Sequence, residues 1–215
     1  MAAIVSRPIV LLGLDGHEGA IHLPAIETRY LDAAVDLNGV DLIVFTSKHA
    51  VFALDRLGGD WKSREICSIG SATSRVIASL GAKVAFEASR SDSDSFADEI
   101  AHRYKTSSVL YPRAREVAGN LEAIVREAGV SVHSVVLYET LCRTIAASDL
   151  PPRAALIFSA PSVAECFFAQ SLWRDEFAAI AIGERTAKAI RRYAPCHVSP
   201  KPNIESAIEF AKVAF

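Results

Sequence analysis

Ile69-Gly70-Ser71-Ala72-Thr73 follows an apolar run at residues 65–69 and precedes a helical pattern at 74–80. The same arrangement returns in Ile182-Gly183-Glu184-Arg185-Thr186, after an apolar run at 178–182 and before a helical pattern at 187–193. A strand, a glycine and a threonine at a helix start make a place that can hold an anion. Glycine lets the backbone turn sharply, the first-turn N–H groups lack intrahelical partners, and the helix dipole favours negative charge there. Taken singly, each stretch is also open to a plainer account, in which Gly70 makes a βα turn and Ser71 and Thr73 cap a helix.

The repetition favours the first account. Gly183 follows Gly70 by 113 residues, and Thr186 follows Thr73 and Ile190 follows Ile77 by the same shift, which also lays Phe158-Ser159 onto Phe45-Thr46. A third pair of helix entries, Asp92 to Phe96 and Pro202 to Ser206, recurs at a slightly different offset. Solenoid units run to about 20–50 residues, so a period this long marks a duplicated α/β unit.

The 215 residues, 51% hydrophobic, are enough to bury one or two cores. A net charge of −2 with no block of like charges lacks the footprint of a nucleic-acid binder. Cys67, Cys142, Cys166 and Cys196 are widely spaced, without a C-x-x-C pair, and read as buried thiols of a reducing cytosol. The apolar run at residues 9–12 is too short for a membrane span or a signal sequence, so the expected location is cytoplasmic.

Residues 8–12 read as a first strand, but 15–23 have neither the length nor the period of a helix, and a loop or single turn is predicted. Strands at 41–45, 65–69, 83–86 and 108–111 alternate with helices at 49–57, 71–80, 94–104 and 120–128, with Gly81 as a helix cap and Gly129 closing the last. Such alternation predicts parallel sheets with helices on both faces. Residues 25–31 and 134–141 are extended runs, each ending near a Glu-Thr pair, that could pair as a two-stranded connection. After Pro151-Pro152 the second copy runs to the last helix at 204–213. The fold class is therefore α/β: two related doubly wound parallel-sheet domains joined by a two-stranded linker, one inserted into the other. The expected boundaries are 1–24 with 144–215 for the split domain, 25–32 with 134–143 for the linker strands, and 33–133 for the inserted domain. A ligand cleft is expected between them, at the carboxyl ends of the strands.

Read together and in order, these motifs resemble the uroporphyrinogen-III synthase family. The residues that carry the resemblance are Phe45-Thr46-Ser47 before Ala50-Val51, Ile69-Gly70 with Thr73, Asp94-Ser95, Tyr111-Pro112-Arg113, Val136-Leu137-Tyr138-Glu139-Thr140, Phe158-Ser159 with Pro161-Ser162, and Ile182-Gly183 with Thr186. The resemblance spans roughly residues 25–210, and each motif alone is a generic βα turn. It implies a hydro-lyase that closes hydroxymethylbilane to uroporphyrinogen III with ring D inverted, without metal or cofactor. The implied partner is a linear tetrapyrrole rich in carboxylates, with no nucleic acid and no membrane. The chain is expected to be a monomer, in transient contact with the preceding pathway enzyme.

With no large positive charge, amides and hydroxyls at helix starts become the expected carboxylate binders: Thr46, Ser47, Gly70, Ser71, Thr73, Ser159, Ser162, Gly183 and Thr186. Arg113, Arg115 and Arg185 could add local charge or stand solvated at the surface. Tyr138 matches the family tyrosine and is the expected proton or hydrogen-bond donor to the leaving hydroxyl, the alternative being a packing role. His49, His102, His133 and His197 show no catalytic spacing and read as surface or satisfied residues. Two departures from the family pattern stand out. Residues 13–23 replace an Arg-Pro turn and a full first helix, which should expose one sheet face to a partner or a lipid-like contact. Ala160 and Arg185 stand where hydroxyl residues are usual. A hinged two-domain sensor of a small anion, or an inactive member of the family, is the other reading that the residues leave open.

Overall fold

A computed structural model describes residues 7–215 apart from 91 and 118, so the first six residues of the expected split domain lie outside the described part. In chain order the elements are β1 (Ile9–Leu11), β2 (Ile21–His22), β3 (Ile26–Tyr30), β4 (Leu42–Phe45), α1 (Lys48–Leu57), β5 (Glu65–Ser68), α2 (Ser71–Ser79), β6 (Phe86–Glu87), α3 (Ser93–Arg103), β7 (Ser108–Ala114) and α4 (Leu121–Glu127). They continue with β8 (Ser131–Cys142), β9 (Ala155–Phe158), α5 (Pro161–Phe168), β10 (Ala178–Ala181), α6 (Glu184–Ile190), β11 (Cys196–Val198) and α7 (Ile204–Ala214). The chain divides into two compact units, Thr28–Thr140 and the remainder, which joins the residues up to Glu27 with Leu141–Phe215.

The Thr28–Thr140 unit is built on a six-stranded sheet of order β3-β8-β7-β4-β5-β6. Every residue of β4 is buried, and its side chains alternate between two cores as the pleat demands. Ile43 and Phe45 pack with Val51, Leu54 and Ile77 of α1 and α2. Leu42 and Val44 pack with Phe96, Ile100 and Val125 of α3 and α4. β4 runs parallel to β5 on one side and to β7 on the other. The strand pair β3 and β8 is continuous with this sheet, because β8 also pairs in parallel with β7 from Ser108↔Ser131 to Ala114↔Tyr138.

The other unit has an all-parallel sheet of order β11-β10-β9-β1-β2. Leu156 and Phe158 face α5 and α6 through Val163, Phe167 and Ile190, while Ala155 and Ile157 face Ala207, Ile208 and Ala211 of α7. The duplication is visible in the element bounds: β9 and β10 begin and end 113 residues after β4 and β5, and α5 and α6 begin 113 residues after α1 and α2.

Two expectations are corrected here. The stretch after β1 has no helix, as its period indicated, yet it ends in the short strand β2, parallel to β1 through Val10↔Ile21. No sheet face is bared at β1: Val10, Leu11 and Leu12 are fully buried, because α7 packs over Leu11 while Val10 and Leu12 join the core on the opposite face. The cysteines are likewise not all thiols. Cys142, at the end of β8, is bonded to Cys166 on α5 with Cα atoms 5.1 Å apart, leaving Cys67 buried and Cys196 half-buried as thiols. Gln170 braces the same returning segment, accepting from the Ile145 amide at 2.8 Å and donating to the Arg143 carbonyl at 3.1 Å. Among the described residues no helix is long and apolar enough to cross a membrane.

Candidate functional site

In the Thr28–Thr140 unit the strand order reverses between β4 and β7, and in open α/β sheets the crevice above such a point is where ligands bind. Thr46 and Ser47 leave β4 at that point. The Thr46 hydroxyl shares a 3.2 Å hydrogen bond with the Tyr111 hydroxyl of β7. Ser47 caps α1, its hydroxyl accepting from the His49 amide at 3.2 Å, and it also hydrogen-bonds Tyr138 of β8. Tyr138 is 8% exposed, and burial pushes its phenol above the ordinary value near 10; the Ser47 hydrogen bond opposes this, and Tyr111 and Tyr30 add to the rise. Thr46, Ser47 and Tyr138, predicted separately, therefore stand together.

Sequence reasoning missed three members of this group. His49 Nδ1 lies 3.3 Å from the Tyr30 hydroxyl, and its ring centroid is 6.0 Å from that of Tyr138. Tyr111 carries no role in the sequence reading, although burial raises its phenol too. A signal for Tyr30 existed: Leu31 donates to the Leu137 carbonyl at 2.8 Å, so the two extended runs already read as partners bring Tyr30 toward Tyr138.

At the next strand end, the cap of α2 is Gly70, with extended φ and ψ of 162° and 174°, and Gly183 before α6 repeats this at −171° and 170°. Neither Ser71 nor Thr73 caps the helix, and the starts of α2, α5 and α6 have no side-chain cap at all, unlike α1, α3 and α7. Their first-turn amides remain available to an acceptor from outside the helix. Thr73 and Thr186 are each 4% exposed and seat those turns against their sheets, while Ser71 and Arg185 are exposed.

In the other unit the order reverses between β1 and β9, and Ser159 leaves β9 there. Gly13 leaves β1 beside it so closely that an added Cβ would collide with the Ser159 hydroxyl and sit 3.1 Å from its Cβ, so this position needs glycine for room. Ser162 is half-buried in the first turn of α5, after Pro161.

The arginines are more committed than expected. Arg115 and Arg29 both donate to Glu139, which is 8% exposed, each with an Nε–H···O bond of 2.7 Å. Arg113 donates to the Ala114 carbonyl at 3.0 Å, faces Glu122 at 3.6 Å, and lines a cavity of about 240 Å³ with Tyr111, Asn120 and Arg126.

The fold and these strand ends define an internally duplicated, doubly wound α/β protein with hydroxyls and uncapped amides gathered at the carboxyl ends of its sheets. Residues 14–209 match the sequence model of uroporphyrinogen-III synthase HemD, and the chain belongs to the uroporphyrinogen-III synthase family, whose members are enzymes of tetrapyrrole synthesis. It is similar to the crystal structure of uroporphyrinogen-III synthetase from Helicobacter pylori, with 26% identity, a TM-score of 0.84, and 97% of this chain and 100% of that one covered. A mutant uroporphyrinogen-III synthase from Thermus thermophilus shares the fold at 19% identity and a TM-score of 0.63, with 97% of this chain and 98% of that one covered. No curated protein sequence matches the chain.

Proposed function

We propose that this protein acts in the cytoplasm as a monomeric hydro-lyase, closing hydroxymethylbilane to uroporphyrinogen III with ring D inverted. The observation that carries the proposal is the Thr46–Ser47–Tyr111–Tyr138 cluster at a strand-order reversal, in a chain whose family match covers residues 14–209. The substrate's carboxylates are received by the amides at the starts of α2, α5 and α6 and by Thr46, Ser47, Ser71, Ser159 and Ser162, with Arg113 and Arg185 adding charge. Gly70 and Gly183 let each chain turn into its helix, and the buried Thr73 and Thr186 hold those turns in place. Tyr138 donates a hydrogen bond to the departing hydroxyl while the electron-rich pyrroles push it out, and the fixed fold of the substrate selects the ring D carbon that bonds to ring A.

The test adds purified protein to hydroxymethylbilane and resolves the type III from the type I isomer. The type III isomer is expected to dominate. Type I alone, the product of spontaneous closure, would overturn the proposal.

A further inference from the structure

The proposed reaction needs one proton delivered to the leaving hydroxyl and one removed from the ring A carbon as the macrocycle closes. Burial makes Tyr138 hold its proton near neutral pH, which suits a hydrogen-bond donor and not a group that must exchange protons twice. Against that phenol stands an imidazole, the one side-chain type whose ordinary titration lies near neutrality. His49 is half-buried in the first turn of α1, its ring 6.0 Å from that of Tyr138 and its Nδ1 3.3 Å from the Tyr30 hydroxyl. Its backbone amide is tied to Ser47, the hydrogen-bond partner of Tyr138, so one helix entry orients both groups.

We propose that His49 is the catalytic acid and base of this site, giving a proton to the leaving hydroxyl and recovering one from ring A. The assignment rests on the reading of the reaction given above. With Nδ1–H donating to the Tyr30 oxygen, Nε2 is the exchanging nitrogen. The C–O bond breaks with its electron pair on oxygen, which takes the Nε2 proton and leaves as water. After ring closure the neutral Nε2 accepts the proton of the ring A carbon, whose bonding pair returns to the pyrrole, and the imidazolium is restored. The titratable groups around the ring are Tyr30 from β3 and Tyr138 from β8, with Tyr111 of β7 beside Tyr138 and Lys48 preceding it on α1.

The test measures type III formation from hydroxymethylbilane across pH 5.5–9 for the native protein, His49→Gln and His49→Ala. The protonated ring starts the cycle, so the native kcat is expected to fall as pH rises through the imidazole range near 6.5. His49→Gln is expected to lose that limb and about 10²-fold in kcat with KM little changed, and added imidazole should restore much of the His49→Ala rate. A His49→Gln rate within about threefold of native, or a limb that survives the substitution, overturns the assignment; so does failure of imidazole rescue in a folded His49→Ala protein. If the variants do not fold, titration of the native imidazole by NMR decides: no proton exchange between about pH 5.5 and 7.5 overturns it. Failure of the native protein to form type III is a different result, which defeats the proposed function itself.

Discussion

Tyr138 and Glu139 are neighbours on β8 and point to opposite faces of the sheet, so one strand carries two separate devices. On one face, burial keeps the Tyr138 phenol protonated and Ser47 fixes its direction. Tyr138→Phe removes the donor and little volume; kcat for type III formation is expected to fall about 10²-fold with KM nearly unchanged, read by steady-state kinetics. On the other face, Arg115 and then Arg29 hold the Glu139 carboxyl below its ordinary range. Its stabilising effect is complete above the unfolded value near 4.5 and disappears as pH falls through the lower folded value. The melting temperature of the native protein is therefore expected to drop on acidification below about pH 5, and Glu139→Gln should start lower and show a shallower slope. Thr46, Ser47 and Tyr138 were legible in the sequence because strand ends and a family motif mark them. His49 and Tyr30 were not, because their contact joins a helix start to a strand that lies 19 residues earlier and on another part of the sheet.

At the scale of elements, the strands were read most securely, since a four-residue apolar run flanked by turn signals has few other uses. The bounds of β9 and β10 follow those of β4 and β5 at a constant shift because the same pleat and helix cover recur in each unit. The first βα step resisted prediction: a two-residue strand such as β2 has no period to detect, and α7, from the far end of the chain, covers the face that a local helix would have shielded. The Cys142–Cys166 bond was invisible for a related reason, since sequence spacing says nothing about which strand end lies on which helix. The bond spans 24 residues, and by loop entropy its loss costs about 3 kcal/mol. Reduction, or Cys142→Ser, is expected to lower the melting temperature of the unit that contains it. Cys67, whose thiol burial pushes up to about 11, should stay unreactive toward a thiol reagent at pH 8 until the protein unfolds.

The whole molecule repeats one plan twice, but it does so with separate cores. Phe45 and Phe158 occupy matching positions at the ends of β4 and β9, are both fully buried, and belong to different hydrophobic clusters. Either phenylalanine replaced by alanine should destabilise its own unit by about 3–5 kcal/mol. Scanning calorimetry is expected to show a different part of the melting profile moving in each variant; identical shifts of one cooperative peak would instead mean that the two cores melt as one. The duplication was legible because a fixed numerical shift survives side-chain change, whereas the split of one unit across both ends of the chain had to be inferred from two extended runs.

That split also sets an order of events on the ribosome. β1 has its partner strand β9 in residues made 146 positions later, whereas every strand of the Thr28–Thr140 unit has emerged by residue 142. The nascent chain must therefore carry an apolar segment with no sheet to join while the intervening unit folds. A circular permutant that begins near residue 141 and closes the old ends would remove that wait, making both units contiguous and each free to fold as it leaves the exit tunnel.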